Sequence, residues 1–401
     1  MNQRNLLQLA VCSALTVLAA PVQAISFTAN DWTMDINGTV NGFYTNTDCS
    51  SVANPANWAV FSACNTGNQT SNIQNGLLPG WISFVATTRQ NDLDIKAHFG
   101  FAPGTSGDAN TPRGGAFTSI DTRNVYLSFG DKTWGSVKIG RDIGLFQQQA
   151  ILADMTLLGV GGQANLNGAI NTTTGMIGKG YIYTAFQPQI TYSTPNYSGF
   201  QASIGAFQPA NIDTFTVHNS PMLQGMATYD FPASGGFTGK GWASFVNQSA
   251  KNAAGTSVSA QGFELGGKIG VAGFEGTLVG FDAKGVGNAI LFAGGTDAAG
   301  NTAKTQGLLA QLTYKPPGLN TKFGINFGET KNKDLAGAKN SAMTLGVYHS
   351  LTKSLTLVGE YIDEKTKGPN FTTDTATNIT TVSPGNDANA KTLALGAILF
   401  F

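Results

Sequence analysis

The amino-acid sequence predicts an all-β fold in which sixteen antiparallel strands close into a transmembrane barrel. Three observations predict it. Apolar and polar residues alternate with a period of two along most of the chain, which is the pattern of strands with two different faces. Charged residues form only 11% of the 401 residues, against about 25% in an ordinary soluble domain. The alternating segments are even in number, and short and long connections separate them in turn.

The composition excludes three other classes of protein. Apolar residues make up 41% of the chain and are spread along it, so the chain is not disordered. Lys and Arg number 23 and Asp and Glu number 23, so no basic excess exists to neutralise nucleic-acid phosphates. Beyond the N-terminus no stretch approaches the roughly 18 to 20 apolar residues of a membrane-spanning helix.

The first 24 residues have the composition of an export signal. Arg4 supplies a positive charge, an apolar run extends from Leu9 to Val22, and the segment ends on Val22-Gln23-Ala24. This order of basic, apolar and small residues is that of a cleaved secretory signal peptide. We therefore expect residues 1–24 to be removed and residues 25–401 to form one barrel domain of an exported protein.

Two cysteines, Cys49 and Cys64, remain after the predicted cleavage. Both lie in one Asn- and Ser-rich stretch, and an oxidising compartment allows them to form a disulfide. The alternative is a pair of unrelated thiols. Neither has a histidine nearby in the sequence, so a metal site or a nucleophilic cysteine has little support.

Each predicted strand has one apolar and one polar face. In the last segment, Leu393, Leu395 and Leu399 share one face, whereas Thr392 and Gly396 lie on the other. The polar faces consist mainly of Gly, Thr, Asn and Gln, which suits a barrel with lipid outside and water inside better than a soluble sandwich. The predicted strands are 32–44, 78–89, 93–101, 122–130, 134–141, 180–193, 199–208, 221–231, 236–248, 259–271, 273–283, 305–315, 319–332, 340–351, 353–367 and 388–401.

The connections between these strands give the barrel its orientation. Seven are short turns, which we assign to the periplasmic rim, and the long ones then lie outside the cell. Closure of the barrel satisfies every backbone hydrogen bond within the sheet, as the bilayer interior requires. The predicted long loops are 45–77, 102–121, 142–179, 209–220, 249–258, 284–304, 333–339 and 368–387.

Several stretches of the sequence resemble the general porin family of Gram-negative bacteria, and the resemblance covers nearly all of the chain after residue 24. They are Thr122 to Gly130 (TRNVYLSFG), Trp134 to Arg141 (WGSVKIGR) and Ile190 to Phe200 (ITYSTPNYSGF), together with a C-terminal strand that ends on Phe401. The resemblance implies a trimeric, sixteen-stranded diffusion channel whose third long loop folds into the barrel. It also implies that the outer-membrane insertion machinery recognises the strand ending in Phe401 as its assembly signal.

The third long loop of this chain is 142–179, and its sequence suits an inward position. The stretch from Leu145 to Leu158 is rich in apolar residues and can pack against a wall. Gly159, Gly161 and Gly162 follow it and allow sharp bends. The competing interpretation of this stretch is an amphipathic helix that binds a partner.

The resemblance also implies a constriction with an acid on the loop and basic residues on the opposite wall. Asp154 lies where the family carries its first loop acid. Alternation puts Arg123 on the same face as Val125, so its orientation stays open, and Trp81 stands where the family's second strand has an arginine. The predicted constriction residues are Asp154, Arg141, Arg123, Lys138, Lys179 and Trp81.

These features predict an outer-membrane channel for passive diffusion of small hydrophilic solutes and ions, without a cofactor or a metal. A homotrimer in contact with outer-membrane lipid and lipopolysaccharide follows from the family resemblance. Charges of both signs on the polar faces predict a weak ion preference. These lumen charges are Asp35, Glu264, Lys268, Lys322 and Glu360.

Three alternative functions remain open at this stage. A channel specific for a sugar or an aromatic acid would use aromatic residues along the lumen, such as Trp81 and Tyr183, whereas an anion channel would use a cluster of arginines or lysines at the constriction. An outer-membrane hydrolase would need an oriented histidine, and the chain has only three, each isolated in the sequence. A receptor or adhesin would use the long loops 45–77 and 368–387. The three histidines are His98, His218 and His349.

Overall fold

The structure is a computed structural model. It describes residues 24–51, 69–105, 120–162, 172–297, 299–334, 338–368, 370–374, 379–383 and 388–401. Cys64 and the predicted signal peptide up to residue 23 lie outside these residues, so the cleavage and the disulfide stay predictions. Within the described residues, no helix combines the length and the apolarity needed to cross a bilayer.

The described residues form almost entirely β-strands, with one helical segment between β7 and β8. The strands are β1 (Ile25–Ala29), β2 (Trp32–Ser51), β3 (Gln69–Gln74), β4 (Trp81–Gln90), β5 (Leu93–Ala102), β6 (Asp121–Asp131), β7 (Gly135–Ile143), β8 (Phe186–Ser193), β9 (Phe200–Phe207), β10 (Met222–Ser234), β11 (Phe237–Lys251), β12 (Ser257–Val271), β13 (Phe274–Lys284), β14 (Lys304–Tyr314), β15 (Thr321–Asn332), β16 (Lys339–Ser350), β17 (Leu355–Lys367), β18 (Asn370–Asp374), β19 (Ile379–Ser383) and β20 (Ala388–Phe400). The helical segment comprises α1 (Gln148–Ala153) and a 3-10 turn (Met155–Leu158).

Sixteen of these strands form one closed antiparallel barrel, which confirms the predicted fold. The wall runs from β2 to β4, through β5 to β17 in chain order, and then to β20, which pairs with β2 again. Each of the sixteen predicted segments corresponds to one strand of this wall. The sequence did not predict β1, β3 or the separate β18–β19 hairpin.

The seam between the first and last strands of the wall is shared by several segments. The lower part of β2 pairs with β4 and with β1, and its upper part pairs with β20 and with β3. Phe401 exchanges two backbone hydrogen bonds with Gly38 of β2, of 2.9 and 3.1 Å. Gly38 lies between the part of β2 that pairs with β1 and the part that pairs with β20. The C-terminal residue therefore takes part in closing the barrel.

Alternation places large apolar side chains outside the barrel and polar ones inside. On β15, Phe323, Ile325 and Phe327 are 45, 43 and 46% exposed, whereas Asn326 and Thr330 between and beyond them are buried. The outward side chains form the band that meets lipid.

The predicted start of the sixth wall strand, β8, is wrong. The prediction began it at residue 180, but β8 begins at Phe186, and residues 180–185 belong to the returning arm of the inward loop. Alternation along the predicted strand 180–193 would put Ile182 on the apolar, lipid-facing side, but Ile182 has no exposed surface and packs inside the barrel. Ala185 has a positive φ of 57°, which marks the turn from loop to strand.

The hydrophobic core lies inside the barrel rather than between sheets. Between β7 and β8, residues 144–162 and 172–185 fold inward as predicted, and we call these residues the inward loop. Its apolar side chains pack on inward residues of the wall, so the interior is filled on that side. This cluster includes Ile151, Met155, Leu157, Leu158, Met176 and Tyr181 of the loop and Phe43, Trp242, Val279, Leu309, Tyr348 and Ile362 of the wall.

A second apolar cluster covers another part of the interior. Ile212 and Phe215, from the connection after β9, and Phe292, from the connection after β13, are buried against wall residues of β9 to β13. Asp213 accepts hydrogen bonds of 2.8 and 2.7 Å from the backbone N–H groups of Gly294 and Thr296, which ties the two connections together. Two further long loops therefore fold over the barrel, which the sequence did not predict.

Candidate functional site

The inward loop is held to one side of the barrel by wall side chains that bind its backbone. Gln224 on β10 accepts hydrogen bonds from the N–H groups of Leu145 and Phe146, at 2.8 and 2.9 Å. On β14, Gln311 accepts from Met155 N–H at 2.7 Å and donates to the Ala153 carbonyl at 3.0 Å. Polar wall residues thus satisfy backbone groups that the short helix leaves unpaired.

Asp154 has no exposed surface and therefore does not present its carboxylate to the channel, contrary to expectation. Its Oδ1 accepts from the N–H and hydroxyl of Thr156 at 2.9 and 2.7 Å. Its Oδ2 accepts from the Tyr181 hydroxyl at 2.7 Å and from Met176 N–H at 3.2 Å. The carboxyl group thus joins the outgoing and returning arms of the loop.

Burial sets the protonation chemistry of this pair. It raises the pKa of the Asp154 carboxyl, and the hydrogen bonds from Thr156 and Tyr181 partly oppose the rise. Burial and the nearby Asp154 carboxylate raise the pKa of Tyr181 well above its usual range, so the hydroxyl keeps its proton and stays a donor.

Glu360 on β17 is a second anchor of the loop. Its Oε2 accepts hydrogen bonds from the N–H groups of Val160 and Gly161, both at 2.8 Å, and its Oε1 accepts from the Tyr348 hydroxyl at 2.7 Å. A Cβ on Gly159 would lie 2.2 Å from Glu360 Oε1, so glycine is required for this approach. Glu360, which we predicted to line the lumen, is 2% exposed and lies beneath the loop.

Lys179 is buried beneath the loop as well. It is 1% exposed, and its Nζ lies 2.8 Å from Glu364 Oε1 on β17 and 3.3 Å from the Thr174 hydroxyl. Glu264 on β12 has no exposed surface and binds Trp242 and Ser244. Neither Lys179 nor Glu264, both predicted to face the lumen, presents its charge to water.

A basic group of side chains lines the wall from β5 to β7. The ammonium groups of Lys96 and Lys138 lie 5.5 and 5.1 Å from the centroid of the Tyr126 ring. Lys138 also pairs with Asp142, whose other oxygen accepts from Asn124 at 2.6 Å. Lys138 was predicted for the constriction from the family resemblance, whereas Lys96 and Tyr126 were not predicted. Alternation along β5 and β6 could have found both, because it places them on the polar faces of these strands.

Arg123 faces inward because β6 has a bulge. Gly100 on β5 pairs with Asn124 on β6, but the next residue of β5, Phe101, pairs with Thr122. Arg123 therefore has no partner residue on β5 and is the extra residue of the bulge. A bulge places two successive side chains on one side of the sheet, so Arg123 joins Asn124 on the lumen face. The structure thus decides the orientation that alternation had left open.

Trp81 and Arg123 lie together on the lumen face. The guanidinium of Arg123 lies 6.0 Å from the Trp81 ring centroid and 5.4 Å from that of Phe186, and its Nε lies 2.8 Å from Asp121 Oδ2. The two aromatic rings are 5.9 Å apart. We call Trp81, Phe186 and Arg123 the aromatic–arginine cluster.

Arg141 on β7 pairs with Val125 on β6, and alternation along β7 places Arg141 on the same face as the exposed Ile139. Its Nε donates to the Thr122 carbonyl at 2.9 Å, beside the bulge. We therefore assign Arg141 to supporting the backbone at the bulge, and the structure does not bring it to Asp154.

The three histidines have separate, neutral partners. His98 contacts Ser83 and the Tyr126 hydroxyl, His218 lies 3.1 Å from Asn211 and His349 lies 2.9 Å from Thr321. In the described part of the chain, no three His, Cys, Asp or Glu side chains are grouped to hold a metal ion.

The inward loop changes the charge balance of the interior. Among the residues that the structure describes, it covers four carboxylates, those of Asp154, Glu264, Glu360 and Glu364, and the ammonium group of Lys179. A sequence profile of the Gram-negative porin family matches residues 10–369, most of the chain.

The chain belongs to the Gram-negative porin family.

Solved porin structures share its fold. The outer membrane channel DcaP of Acinetobacter baumannii is 16% identical, with a TM-score of 0.66, and the match covers 94% of this chain and 99% of that one. The anion-selective porin from Comamonas acidovorans is 15% identical, with a TM-score of 0.61 and coverage of 92 and 100%. OmpF of Salmonella typhi, in complex with daunomycin, is 15% identical, with a TM-score of 0.59 and coverage of 94 and 100%. No curated protein sequence matches significantly.

The porin fold and family make this protein an outer-membrane channel for passive diffusion, which confirms the main functional prediction. The inward loop narrows the barrel interior from the side of β10 to β17. The basic group and the aromatic–arginine cluster lie on the wall from β4 to β8.

Proposed function

We propose that this porin conducts small hydrophilic solutes with a weak preference for anions. The observation that carries the proposal is the unequal burial of charge by the inward loop. Four carboxylates and Lys179 lie beneath it, whereas Lys138 and Arg123, together with the largely buried Lys96, lie on the opposite wall.

The preference is weak because acidic residues accompany these cations. Asp142 pairs with Lys138 and Asp121 pairs with Arg123, so these acids offset much of the positive charge on this wall. Charges on the wall act more strongly on an ion in a narrow lumen with low-dielectric walls than on an ion in bulk water. Screening by salt reduces the effect when the ionic strength is high.

Removal of one wall cation tests this proposal. Reversal potentials in a KCl gradient across planar bilayers should shift toward cation preference in Lys138→Gln, by several millivolts. The matched control is Lys353→Gln, which removes the same charge from an exposed position in the turn after β16 and should leave the potential unchanged. An identical potential for Lys138→Gln and the native porin would contradict the proposal.

A substrate-specific channel is a second candidate, and the aromatic–arginine cluster is the observation that supports it. Its two rings and guanidinium could hold a solute that has a flat apolar face and a carboxylate. Saturable flux of an aromatic acid that is lost in Trp81→Ala would favour this candidate. Flux that rises linearly with concentration would favour the passive channel.

The assembly and processing of the porin follow from the same family membership. We infer a homotrimer in contact with lipopolysaccharide, inserted by machinery that recognises the strand ending in Phe401, and without enzymatic activity. Light scattering with detergent correction would measure the oligomer, and a monomeric mass would contradict the trimer.

The predicted signal peptide and disulfide belong to this proposal as well. Cleavage after Ala24 leaves Ile25 as the first residue, and Cys49, which is 3% exposed near the end of β2, pairs with Cys64. Mass spectrometry of the exported protein before and after reduction tests both. An intact residue 1 or two alkylated thiols without reduction would contradict them.

A further inference from the structure

Four lysines lie at the short-turn ends of strands β11 to β15, on the side of the barrel that holds the inward loop. Two of them share the inner face of their strands with Trp242 and Glu264, which are buried inside the barrel. A third shares the inner face of β15 with the buried Asn326, and the fourth is the first residue after β14. We call them the lower lysine cluster. Its members are Lys240, Lys268, Lys322 and Lys315.

The strand register and the side-chain contacts bring these lysines together. Lys240 lies directly opposite Lys268 on the neighbouring strand. The ammonium group of Lys322 lies 5.1 Å from the centroid of the Tyr348 ring. Lys268 and Lys315 are close enough to act electrostatically on this ammonium group. The cluster is therefore one patch of positive charge that spans several strands of the wall.

The patch begins where the inward loop ends. A Cβ on Gly324 would lie 2.5 Å from the Sδ atom of Met155, so the loop packs on β15 at this position. Lys322 lies two residues closer to the short turn, on the same face of β15. The side chains of Lys240 and Lys268 are 21 and 18% exposed, so their charged ends reach water. A solute that passes the loop toward the short turns meets this patch next.

Acidic side chains neutralise half of the cluster. On the inner faces of β10 to β16 at this end, the acids are Asp230 and Glu275. Asp230 lies 3.3 Å from Lys240, and Glu275 lies 3.4 Å from Lys268. Four ammonium groups against two carboxylates leave an excess of two positive charges.

The buried acids of the same wall do not remove this excess. Glu264 binds Trp242 and Ser244, and Glu360 binds backbone N–H groups of the inward loop. Among the described residues, no carboxylate lies within 4 Å of the ammonium groups of Lys315 and Lys322.

A buried hydroxyl group without a partner lies beside the cluster. Thr277 on β13 is directly opposite Lys268 and is 4% exposed. Its Oγ1 has no hydrogen-bond partner among the residues that the structure describes. A buried hydroxyl that makes no hydrogen bond costs free energy, and an anion bound beside Lys268 would accept one from it.

We propose that the lower lysine cluster binds inorganic phosphate as its dianion. The two negative charges match the excess of two positive charges, and several oxygens can accept hydrogen bonds from ammonium groups and from the Thr277 hydroxyl at once. Chloride carries one charge and matches the cluster less well. The weak anion preference rests on Lys138 and Arg123 on the opposite wall, so this inference goes beyond that proposal.

Chloride current through single channels tests the site. Phosphate replaces part of the KCl on both sides of a planar bilayer, at constant ionic strength and at a pH where phosphate is a dianion. Constant ionic strength keeps the screening of wall charges the same. Because a bound dianion occupies the lumen beside the loop, we expect the current to fall along a saturating curve. The midpoint of this curve measures the affinity for phosphate.

Two variants separate a built site from general electrostatic attraction. Lys268→Gln combined with Lys322→Gln removes two charged donors, and we expect phosphate to bind about tenfold more weakly. Thr277→Val removes the hydroxyl without changing the charge, and we expect binding to weaken about threefold. The matched control replaces Lys132 and Lys353, in two other short turns, by Gln and should bind phosphate like the native porin.

Two results would overturn the inference. One is a current of the native porin that falls linearly with phosphate concentration. The other is the same midpoint in the double lysine variant and in the control variant. If the double variant forms no channels, Thr277→Val decides, and a midpoint equal to that of the native porin contradicts the site. Reversal potentials without phosphate test the weak anion preference separately, so the two proposals can fail independently.

Discussion

At the scale of single residues, Asp154 shows how burial changes the role of a charged side chain. An acid in an inward loop suggests a charge facing the channel, but four donors in the two arms of the loop surround this carboxyl group. A buried carboxyl group that accepts several hydrogen bonds joins parts of the loop to each other and does not act on passing ions.

Replacement of Asp154 by Asn should leave ion preference intact but loosen the loop. The amide keeps the size of the side chain but offers one acceptor where two are needed, at a cost of about 1–3 kcal/mol in loop attachment. We expect an unchanged reversal potential, together with more frequent closures in single-channel records. A shifted reversal potential without additional closures in the single-channel records would indicate that Asp154 faces the channel.

The raised pKa of Asp154 gives the loop a pH dependence of defined sign. Burial favours the neutral carboxyl group in the packed loop and so raises the pKa of Asp154. The loop is therefore attached more firmly as the pH falls from above this raised pKa toward the ordinary pKa of an aspartate. We expect labelling of a cysteine at half-buried Leu152 to decrease over this range in the native background, relative to Asp154→Asn. Labelling with the same pH dependence in both backgrounds would show that Asp154 does not contribute.

At the scale of elements, the inward loop was predictable in position but not in contacts. Its apolar stretch and its glycines were readable in the sequence, and both serve the packing. The partners on the wall, such as Gln224, Gln311 and Glu360, lie up to about 200 residues away in the chain, and no local pattern connects them to the loop.

Local irregularities explain the remaining errors at this scale. Period-two alternation predicts faces correctly while the ladder is regular, but the bulge at Arg123 moves its side chain to the other face. Residues 180–185 continue an apolar pattern, yet the positive φ of Ala185 separates them from β8. Neither feature has a signal in the alternation itself.

Gly159 tests the fit between the loop and β17. A methyl group in Gly159→Ala would lie 2.2 Å from Glu360 Oε1 and should displace the loop from its anchor, at a cost of about 1–3 kcal/mol. We expect noisier conductance and faster proteolysis within the loop. Gly42→Ala is the matched control, because a Cβ there meets nothing within 4 Å. Equal behaviour of the two variants would contradict the proposed anchor.

At the scale of the whole molecule, the fold distributes acidic and basic residues unequally within the barrel. A sequence with equal numbers of acids and bases predicts little ion preference. The fold separates the charges: four carboxylates lie beneath the loop, while Lys138 and Arg123 lie on the opposite wall of the channel. Counting residues cannot anticipate this separation, because it depends on which side of the wall the loop covers.

The most direct test of the account is single-channel recording of the purified native oligomer in planar bilayers with a KCl gradient. We predict stepwise conductance, in groups of three for a trimer, with a small reversal potential of the sign that marks anion preference. Folded oligomer that gives no conductance steps would contradict the channel itself, and a potential of the cation-selective sign would contradict the proposed role of the basic wall.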